Sequence, residues 1–360
     1  MLYLISLLSF FLPTQLGLHF DILQSTVYGF QIDYLIPTLY LTDIIIFLII
    51  FLGLRKIKIR LWIVCFFVIF ASFNIYISSY FIPTIYKWLK VTEMVLLGLV
   101  IINTKKFDVF KHFVRPLSYS MIIINILAIL QYFNKSSIGG IFYYLGERSF
   151  LFSDPNVSPF PYSTFSHPNS FAGFLLVFGI FLIQFKNKFN KKYFWLLLSL
   201  IGINLIITNS LNVYIAIAVL VLLRVPKIYN SSFLFINFSE RFITHRIELI
   251  KASWVMIKEN FLFGVGLNNF IPNLPKVTNS FLNAWELQPV HNIFLLIFSE
   301  TGVFGLIAFC FLIFFSFSLA TSHYALITIL LTGLSDHYWL TLQQNILLLT
   351  YTLAINYAKK

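Results

Sequence analysis

The chain has 360 residues, of which 59% are hydrophobic and only 11% are charged, whereas about 25% of residues are charged in an ordinary soluble domain. Its mean hydropathy is +0.86, and 43 of its residues are Phe. So little polar surface cannot cover a globule in water, which excludes a soluble enzyme, a disulfide scaffold and a disordered chain. We therefore predict an all-α protein, a polytopic transmembrane helical bundle.

The net charge of +12 does not indicate nucleic-acid binding in a chain of this kind. Lys and Arg collect in the cytoplasmic loops of membrane proteins, so an excess of positive charge is expected. The predicted partner is the lipid bilayer, with no nucleic acid. The two cysteines, Cys65 and Cys310, lie inside apolar runs, and we predict that both are small buried hydrophobes.

Apolar runs that approach or reach the roughly 20 residues of a spanning helix follow one another along the whole chain. They predict about ten or eleven spans within one membrane domain, residues 1–360. In chain order the runs are Leu2–Leu18, Ile36–Leu54, Leu61–Ile82, Trp88–Ile102, Pro116–Phe133, Pro168–Phe185, Tyr193–Ile207, Leu211–Leu223, Ile293–Ala320, Tyr324–Leu334 and Ile346–Tyr357.

Loop charges predict the orientation of these spans, because basic loops stay on the cytoplasmic side. Basic residues cluster in the segments Arg55–Arg60, Lys105–Arg115 and Lys186–Lys192, which we expect inside. The residues 134–166 form a first external loop, and 236–290 form a large external loop. Between Val225 and that loop only the apolar piece Phe233–Phe238 could carry the chain outward. It is too short to span alone, so either it is re-entrant or degenerate, or another boundary is wrong.

The large loop contains a segment with helical periodicity. Ile247, Ile250, Trp254 and Ile257 recur at three- and four-residue steps, which indicates one apolar face. We predict a helix with Thr244 as its N-cap, ending near Asn260 to Gly264, followed by a tight turn at Gly264-Val-Gly266. Such a helix could simply lie in the membrane interface with a solvated basic face. Alternatively, it places the guanidinium of Arg246 at the membrane surface, where its planar fork matches phosphate oxygens.

Two histidines stand where apolar helices begin. His291 precedes Asn292 and the run from Ile293, and a neutral imidazole there could accept a proton from a sugar hydroxyl, or only bond to backbone. His167-Pro168-Asn169 could bind a polar group or only cap a helix whose first position is Pro168. Glu300, further along, is either a buried partner for a cation or a helix end at the opposite interface. Asp336 beside His337 reads as a structural pair.

In order and spacing, several of these segments together resemble the O-antigen ligase and polymerase family of bacterial membrane glycosyltransferases. The resemblance covers residues 160–345. Its pieces are Phe165-Ser-His-Pro-Asn-Ser-Phe-Ala172, then Arg246 through Ala252 to Phe263-Gly-Val-Gly-Leu-Asn-Asn-Phe270, then His291-Asn-Ile-Phe-Leu295 with Glu300-Thr-Gly302, and Gly333-Leu-Ser-Asp-His-Tyr-Trp339.

The resemblance implies transfer of a glycan from a polyprenyl-pyrophosphate carrier to a lipid or glycan acceptor. It also implies a multi-pass protein of the bacterial inner (plasma) membrane, with its active site facing the periplasm or cell exterior. It implies a metal-independent, inverting reaction without a cofactor. In the family's roles, Arg246 neutralises the departing pyrophosphate and His291 activates or positions the acceptor hydroxyl. The expected substrate-binding residues are Arg241, Arg148, His167, Asn169, Asn292 and Glu300.

The sequence departs from the family pattern at one stretch. The family carries Thr-x-Ser-Arg-Gly before one span, whereas here Thr208-Asn-Ser210 is followed by Leu211. Either Arg148 or Arg241 replaces the missing charge, or this chain is a relative without activity. A transporter of lipid-linked sugars is the alternative from another class, although the broken helices in repeat-related positions that transporters use are not evident in the sequence.

Overall fold

A computed structural model describes residues 1–57, 60–151, 153, 158–224, 240–278, 286–319 and 323–358. The described residues are mostly helical, as predicted. The helices are α1 Leu2–Phe11, α2 Leu41–Gly53, α3 Leu61–Ile77, α4 Phe81–Asn103, α5 Arg115–Asn134, α6 Pro168–Gln184, α7 Lys191–Ile207, α8 Leu211–Arg224, α9 Glu240–Glu259, α10 Phe270–Val277, α11 Ile293–Leu319, α12 Tyr324–Gly333, α13 Tyr338–Thr341 and α14 Gln343–Ala358.

Four short strands, which the composition did not predict, lie between α1 and α2. They are β1 Gly17–His19, β2 Thr26–Val27, β3 Phe30–Gln31 and β4 Thr38–Tyr40. Strands β1 and β4 pair antiparallel, as do β2 and β3. The predicted run Leu2–Leu18 is therefore wrong at its end: α1 stops at Phe11, since Pro13 cannot continue a helix, and Gly17 pairs opposite Tyr40 instead.

Two helices among the described residues are long and apolar enough to cross a membrane, Phe110–Asn134 and Ile293–Phe317. Shorter apolar helices accompany them, including α2, α3, α6 and α12. The helical class is thus confirmed, whereas the count of ten or eleven spans stays a prediction. The piece Phe233–Phe238, which was either re-entrant or degenerate or a sign of a wrong boundary elsewhere, lies outside the described residues.

The break between α3 and α4 corrects another boundary. The run Leu61–Ile82 was predicted as one span, but α3 ends at Ile77 and α4 begins at Phe81, seven residues before the expected start at Trp88. Pro83 fits the first turn of α4, where its missing N–H costs nothing.

The main hydrophobic core lies between α1, α2, α4, α5, α6 and α14. Its largest buried side chains include Phe165, Phe174, Trp339 and Tyr351. Helix α14 packs against α4, α11 and α12. A second core joins the segment before α2 to the large loop, through Val27, Leu35 and residues of α9 and α10 such as Leu249 and Phe270. The segment between α1 and α2 therefore covers the same end of the bundle as the large loop.

Other apolar side chains remain exposed on the outer sides of the bundle. In α3 only Ala71 and Asn74 are buried, while side chains such as Trp62 and Phe66 face outward. Cys65 and Cys310 are exposed on α3 and α11, so the prediction that they are buried is wrong. Outward-facing apolar side chains are expected for a helical bundle that is surrounded by lipid hydrocarbon.

Helix α11 is kinked. Gly302 has φ 68° and ψ −169° within it, and a Cβ at this position would lie 2.2 Å from the carbonyl oxygen of Leu262. The backbone of the segment that follows α9 enters the kink: Val265 N donates to Ser299 O at 2.9 Å, and Val303 N donates to Phe261 O at 2.9 Å. The predicted tight turn at Gly264 and Gly266 is confirmed, with φ values of 70° and 101°.

One α3 side chain fastens this junction. Asn74 is fully buried and donates through its Nδ2 to Phe263 O at 2.9 Å and to Glu300 O at 3.0 Å. Its Oδ1 accepts from Leu267 N at 2.8 Å and from the indole of Trp88 at 3.0 Å. Non-helical backbone away from water needs such partners. Asn74 therefore holds the large loop against the two neighbouring helices.

Helix α9 starts earlier and faces differently than predicted. It begins at Glu240, so Thr244 is not its N-cap. The buried side of α9 consists of Leu249, Ala252, Ser253, Met256 and Ile257. Of the predicted apolar face only Ile257 is buried, while Ile247, Ile250 and Trp254 are exposed. The helix thus has one apolar side in the protein and another facing outward.

Candidate active site

A short turn between α12 and α13, here called the Asp336 turn (residues 334–337), lies at the centre of the candidate site. Gly333 ends α12 where a Cβ would lie 2.6 Å from the Ile293 side chain, so the turn passes close to the start of α11. The Asp336 Oδ1 accepts from the backbone N of His337 at 2.8 Å. The predicted structural pair Asp336 and His337 is thus an interaction of the carboxylate with backbone.

Side chains from α8, from α9 and from the residue before α11 hold the Asp336 turn by its carbonyl groups. Arg246 donates through Nη1 to Ser335 O at 2.9 Å, and Asn292 donates through Nδ2 to Leu334 O at 3.0 Å. Asn212, at the start of α8, donates to Ser335 O at 3.3 Å. The predicted residues Arg246 and Asn292 therefore meet at one turn, although they lie 46 positions apart in the sequence.

His291 and His337 flank the carboxylate of Asp336. One ligand atom of each of the three residues lies within 4.8 Å of those of the other two, and the two imidazole rings are 5.1 Å apart. The Asp336 Oδ2 also accepts from Asn169 at 3.4 Å and from Asn212 at 3.5 Å. Among the described residues the buried Nδ1 of His291 has no hydrogen-bond partner, so this nitrogen is available to a ligand.

Burial decides the protonation of this cluster. It lowers the pKa of His291 well below 6.5, although the Asp336 carboxylate acts in the opposite direction. It likewise lowers the pKa of His337 to about 4. Burial alone would raise the pKa of Asp336, but its electrostatic interactions with the guanidinium of Arg246 and with the protonated forms of His291, His337 and His167 lower it overall. At neutral pH the site thus holds two neutral imidazoles, one carboxylate and the guanidinium of Arg246.

The segment at His167 closes one side of the site. Its Nδ1 accepts from Asn169 N at 3.1 Å and caps α6, and Pro168 occupies the first helical position. The predicted cap is therefore confirmed, and the same cap aims Asn169 at Asp336. The charge of Asp336 acts on His167 as well. His167 and Asn169 thus belong to the same cluster as His291.

The remaining expected binding residues lie further out or apart. Arg148 pairs with Asp33 at 3.6 Å, and its charge acts on His167. The side chain of Arg241 lies outside the described residues. Glu300 is buried two turns into α11, before the kink, and its Oε1 accepts from Phe270 N at 3.2 Å. It is therefore not a helix end at the opposite interface, and its binding role stays a prediction.

Several residues of this cluster were not predicted from the sequence as site residues. Asp336 and His337 were quoted only as a piece of the resemblance, and a structural pair was the expectation for them. Asn212 follows the missing arginine at Leu211, and nothing in its sequence context marks it. Lys87 donates to Leu340 O at 2.7 Å and its charge acts on His337; a lysine inside an apolar helix is a functional signal in itself.

His291, Asp336 and His337 also have the spacing of metal ligands. Two imidazoles and a carboxylate would suit a transition-metal ion. However, the Nδ1 of His337 bonds with the Thr341 hydroxyl at 2.9 Å, and Asp336 is occupied by three donors. The expectation that the reaction needs no metal is untested and stays a prediction.

The fold and the site together define a class: a helical protein with outward-facing apolar side chains, which gathers histidines, a carboxylate and a guanidinium in one cluster. Residues 164–310 match the family model described as O-antigen ligase, which confirms the resemblance to the O-antigen ligase and polymerase family. No curated relative matches the chain. This family acts in surface polysaccharide biosynthesis and consists of membrane proteins.

The matched region contains Arg246, His291 and the His167 segment, but it ends before the Asp336 turn. Arg246, His291, His167 and Asn212 therefore come from the matched region, while Asp336 and His337 come from the turn between α12 and α13. Asp336 and His337 belong to the site because their turn contacts Arg246 and Asn292, and not because of the family match.

Proposed function

We propose that the protein is a polytopic membrane glycosyltransferase of the O-antigen ligase or polymerase type. It transfers a glycan from a polyprenyl-pyrophosphate carrier to a lipid or glycan acceptor, on the outer face of the inner (plasma) membrane. The observation that carries the proposal is the meeting of a neutral histidine, a buried carboxylate and a guanidinium in one cluster. Such a set can remove a proton and stabilise a departing phosphate without further groups.

In the proposed reaction the acceptor hydroxyl oxygen attacks the anomeric carbon of the donor sugar. Its proton passes to the free Nδ1 of His291, and the Asp336 carboxylate stabilises the imidazolium that forms. The bond between the anomeric carbon and the pyrophosphate oxygen breaks, and the electron pair leaves with polyprenyl pyrophosphate. Arg246 turns from Ser335 toward this leaving group and neutralises its charge. One displacement inverts the anomeric centre, and no metal takes part.

The other expected binding residues have supporting roles in this proposal. His167 and Asn169 border the acceptor side of the cluster, and Asn292 keeps the Asp336 turn next to α11. Arg148 supplies the charge that the missing arginine after Ser210 would have given. If Arg148→Ala and Arg241→Ala both transfer glycan like the wild type, this replacement is ruled out.

The test is glycan transfer in proteoliposomes with the host's own lipid-linked oligosaccharides, comparing the wild type with His291→Ala. We expect product from the wild type and none from the variant, with both proteins equally folded. His323→Ala is the matched control, because His323 is exposed before α12, and it should leave transfer unchanged. Equal product from His291→Ala would remove this histidine from the mechanism.

The product also distinguishes the two reactions that the same site can serve. Glycan on lipid A core would identify a ligase, and lengthened lipid-linked chains would identify a polymerase. If verified donor and acceptor give no product with the wild type, the chain is a relative without activity or a transporter of lipid-linked sugars.

A further inference from the structure

A second ordered feature lies at the same end of the molecule as the candidate active site. Residues 136–151, here called the tyrosine loop, form a closed hairpin after α5. Ser136 and Leu151 form an isolated antiparallel bridge, and Ser137 N donates to Phe150 O at 3.0 Å. Gly139 and Gly140 have φ values of 73° and 60°, which permit the reversal into a short 3-10 helix, Gly140–Leu145.

A buried carboxylate fixes the shape of the tyrosine loop. Glu147 is 5% exposed, and its two oxygens accept from the backbone N of Ile138 at 2.8 Å and of Gly139 at 2.7 Å. Gln131 of α5 donates to the same carboxylate at 2.7 Å. Charge-assisted bonds to backbone are among the stronger hydrogen bonds in proteins. The loop is therefore attached to the end of α5 as a fixed platform.

The platform presents aromatic and apolar side chains outward. Ile141, Tyr143 and Tyr144 are 74%, 60% and 69% exposed, and the rings of the two tyrosines lie 5.8 Å apart at 82°. Exposed aromatic clusters on a rigid support mark binding surfaces, since tyrosine offers a large contact area with little loss of side-chain entropy.

The tyrosine loop borders the candidate active site. Gln15 connects the two: its backbone N donates to Leu145 O at 3.3 Å, and its Nε2 donates to the hydroxyl of Ser166 at 2.6 Å, next to His167. At the other edge Arg148 pairs with Asp33, the neighbour of Tyr34, whose ring contacts His337 at 5.4 Å. Gln15 and the Arg148–Asp33 pair thus connect the tyrosine loop to the neighbours of His167 and His337.

We propose that the tyrosine loop binds the saccharide part of a glycan substrate, with Tyr143 and Tyr144 stacking on sugar rings and Arg148 and Asp33 bonding to hydroxyl groups. This inference rests on the proposed function and names a substrate subsite for it. A pyranose has an apolar face of C–H groups, which suits the negative face of an aromatic ring, and a rim of hydroxyls, which suits paired charged groups. The tyrosine loop with its neighbouring charge pair offers both.

The binding test uses the full chain in nanodiscs and the free oligosaccharide released by mild acid from the host's lipid-linked material. Saturation-transfer NMR should detect binding to the wild type, and Tyr143→Ala combined with Tyr144→Ala should weaken it about tenfold. The corresponding double Phe variant keeps the ring faces and should bind like the wild type. Tyr76→Ala is the matched control, because Tyr76 is 84% exposed on the apolar helix α3, and it should change nothing.

In the transfer assay the double Ala variant should raise KM for the glycan about tenfold while kcat stays within twofold. Equal binding by the double Ala variant and the wild type, or no binding by the wild type, would overturn the inference. So would strong quenching of Tyr143→Trp by brominated lipids, since the loop would then lie in the bilayer interface. If the wild type transfers nothing yet binds the oligosaccharide through the tyrosines, the inference stands and the proposed function falls.

Discussion

Replacing Asp336 by Asn tests the proposed proton transfer most directly, because it removes a charge and keeps the shape. The carboxylate and the nearest nitrogen of His291 lie within 4.8 Å of each other. At this distance two unit charges attract each other by about 3.5 kcal/mol at an effective dielectric constant of about 20. This attraction exists only when His291 holds the acceptor's proton, so its loss should appear in kcat, as a fall of roughly 300-fold.

The pH profile gives a second readout of the same variant. His291 must be neutral to accept a proton, and burial holds its pKa well below 6.5, so wild-type transfer should not decline as the pH falls from 8 to 6.5. The Asp336 carboxylate favours the protonated imidazole. In Asp336→Asn this preference is lost, and the acid limb of kcat should move to a lower pH.

A matched variant separates this effect from a general loss of negative charge. Asp21→Asn removes an exposed carboxylate that accepts from the side chain of Gln31 and should leave kcat and the acid limb in place. The measurement is initial transfer rate in proteoliposomes between pH 4.5 and pH 8, with thermal unfolding as a check on folding. A kcat for Asp336→Asn within threefold of the wild type would refute the proposed partnership with His291.

Three further predictions concern the guanidinium, the metal and the kink. Arg246→Lys should lose nearly as much transfer as Arg246→Ala, about tenfold or more, because an ammonium cannot reproduce the planar fork; full activity would show that charge alone suffices. Transfer in the presence of a chelator should stay within about twofold, and a loss reversed by one divalent cation would instead indicate a metal at the site. Gly302→Ala should lower the free energy of unfolding by about 2–4 kcal/mol in detergent, since its Cβ would meet the Leu262 carbonyl. Gly202→Ala, where a Cβ meets nothing within 4 Å, should be neutral or stabilising by up to about 1 kcal/mol; equal melting temperatures for the two variants would contradict the clash.

The sequence was sufficient wherever a local signal determines the structure. Apolar runs predicted the helices α6 and α7 nearly to the residue, because Pro168 and the cap at Asn190 stand at their starts. The start of α11 was equally predictable, since the Asn292 side chain caps this helix by accepting from the backbone N of Phe294 and Leu295. The turn at Gly264 requires a backbone conformation that few other residues adopt, so the glycines in the sequence were enough to predict it.

What the sequence could not show depends on contacts between distant segments. The four strands before α2 are two or three residues long, too short for a period of two to be visible. The apolar side of α9 was misassigned because the helix has apolar residues on two sides, and only packing on α10 and α11 tells which side is buried. The role of Asn212 arises from a hydrogen bond 124 residues away. Asp336 and His337 join the site only because α12 returns to the start of α11.

The kink in α11 also bears on how the chain enters its membrane. Gly266 N donates to Glu300 O at 3.1 Å, and Val265 N and Val303 N complete the pairing of the two segments. Lipid offers no partner for these backbone groups, so each segment needs the other wherever it is away from water. We therefore expect the residues that follow α9 to stay in water until α11 has been synthesised. We expect insertion of this segment and of α11 to be a single late event in biogenesis, with His291 reaching Asp336 only after α12 has also been inserted.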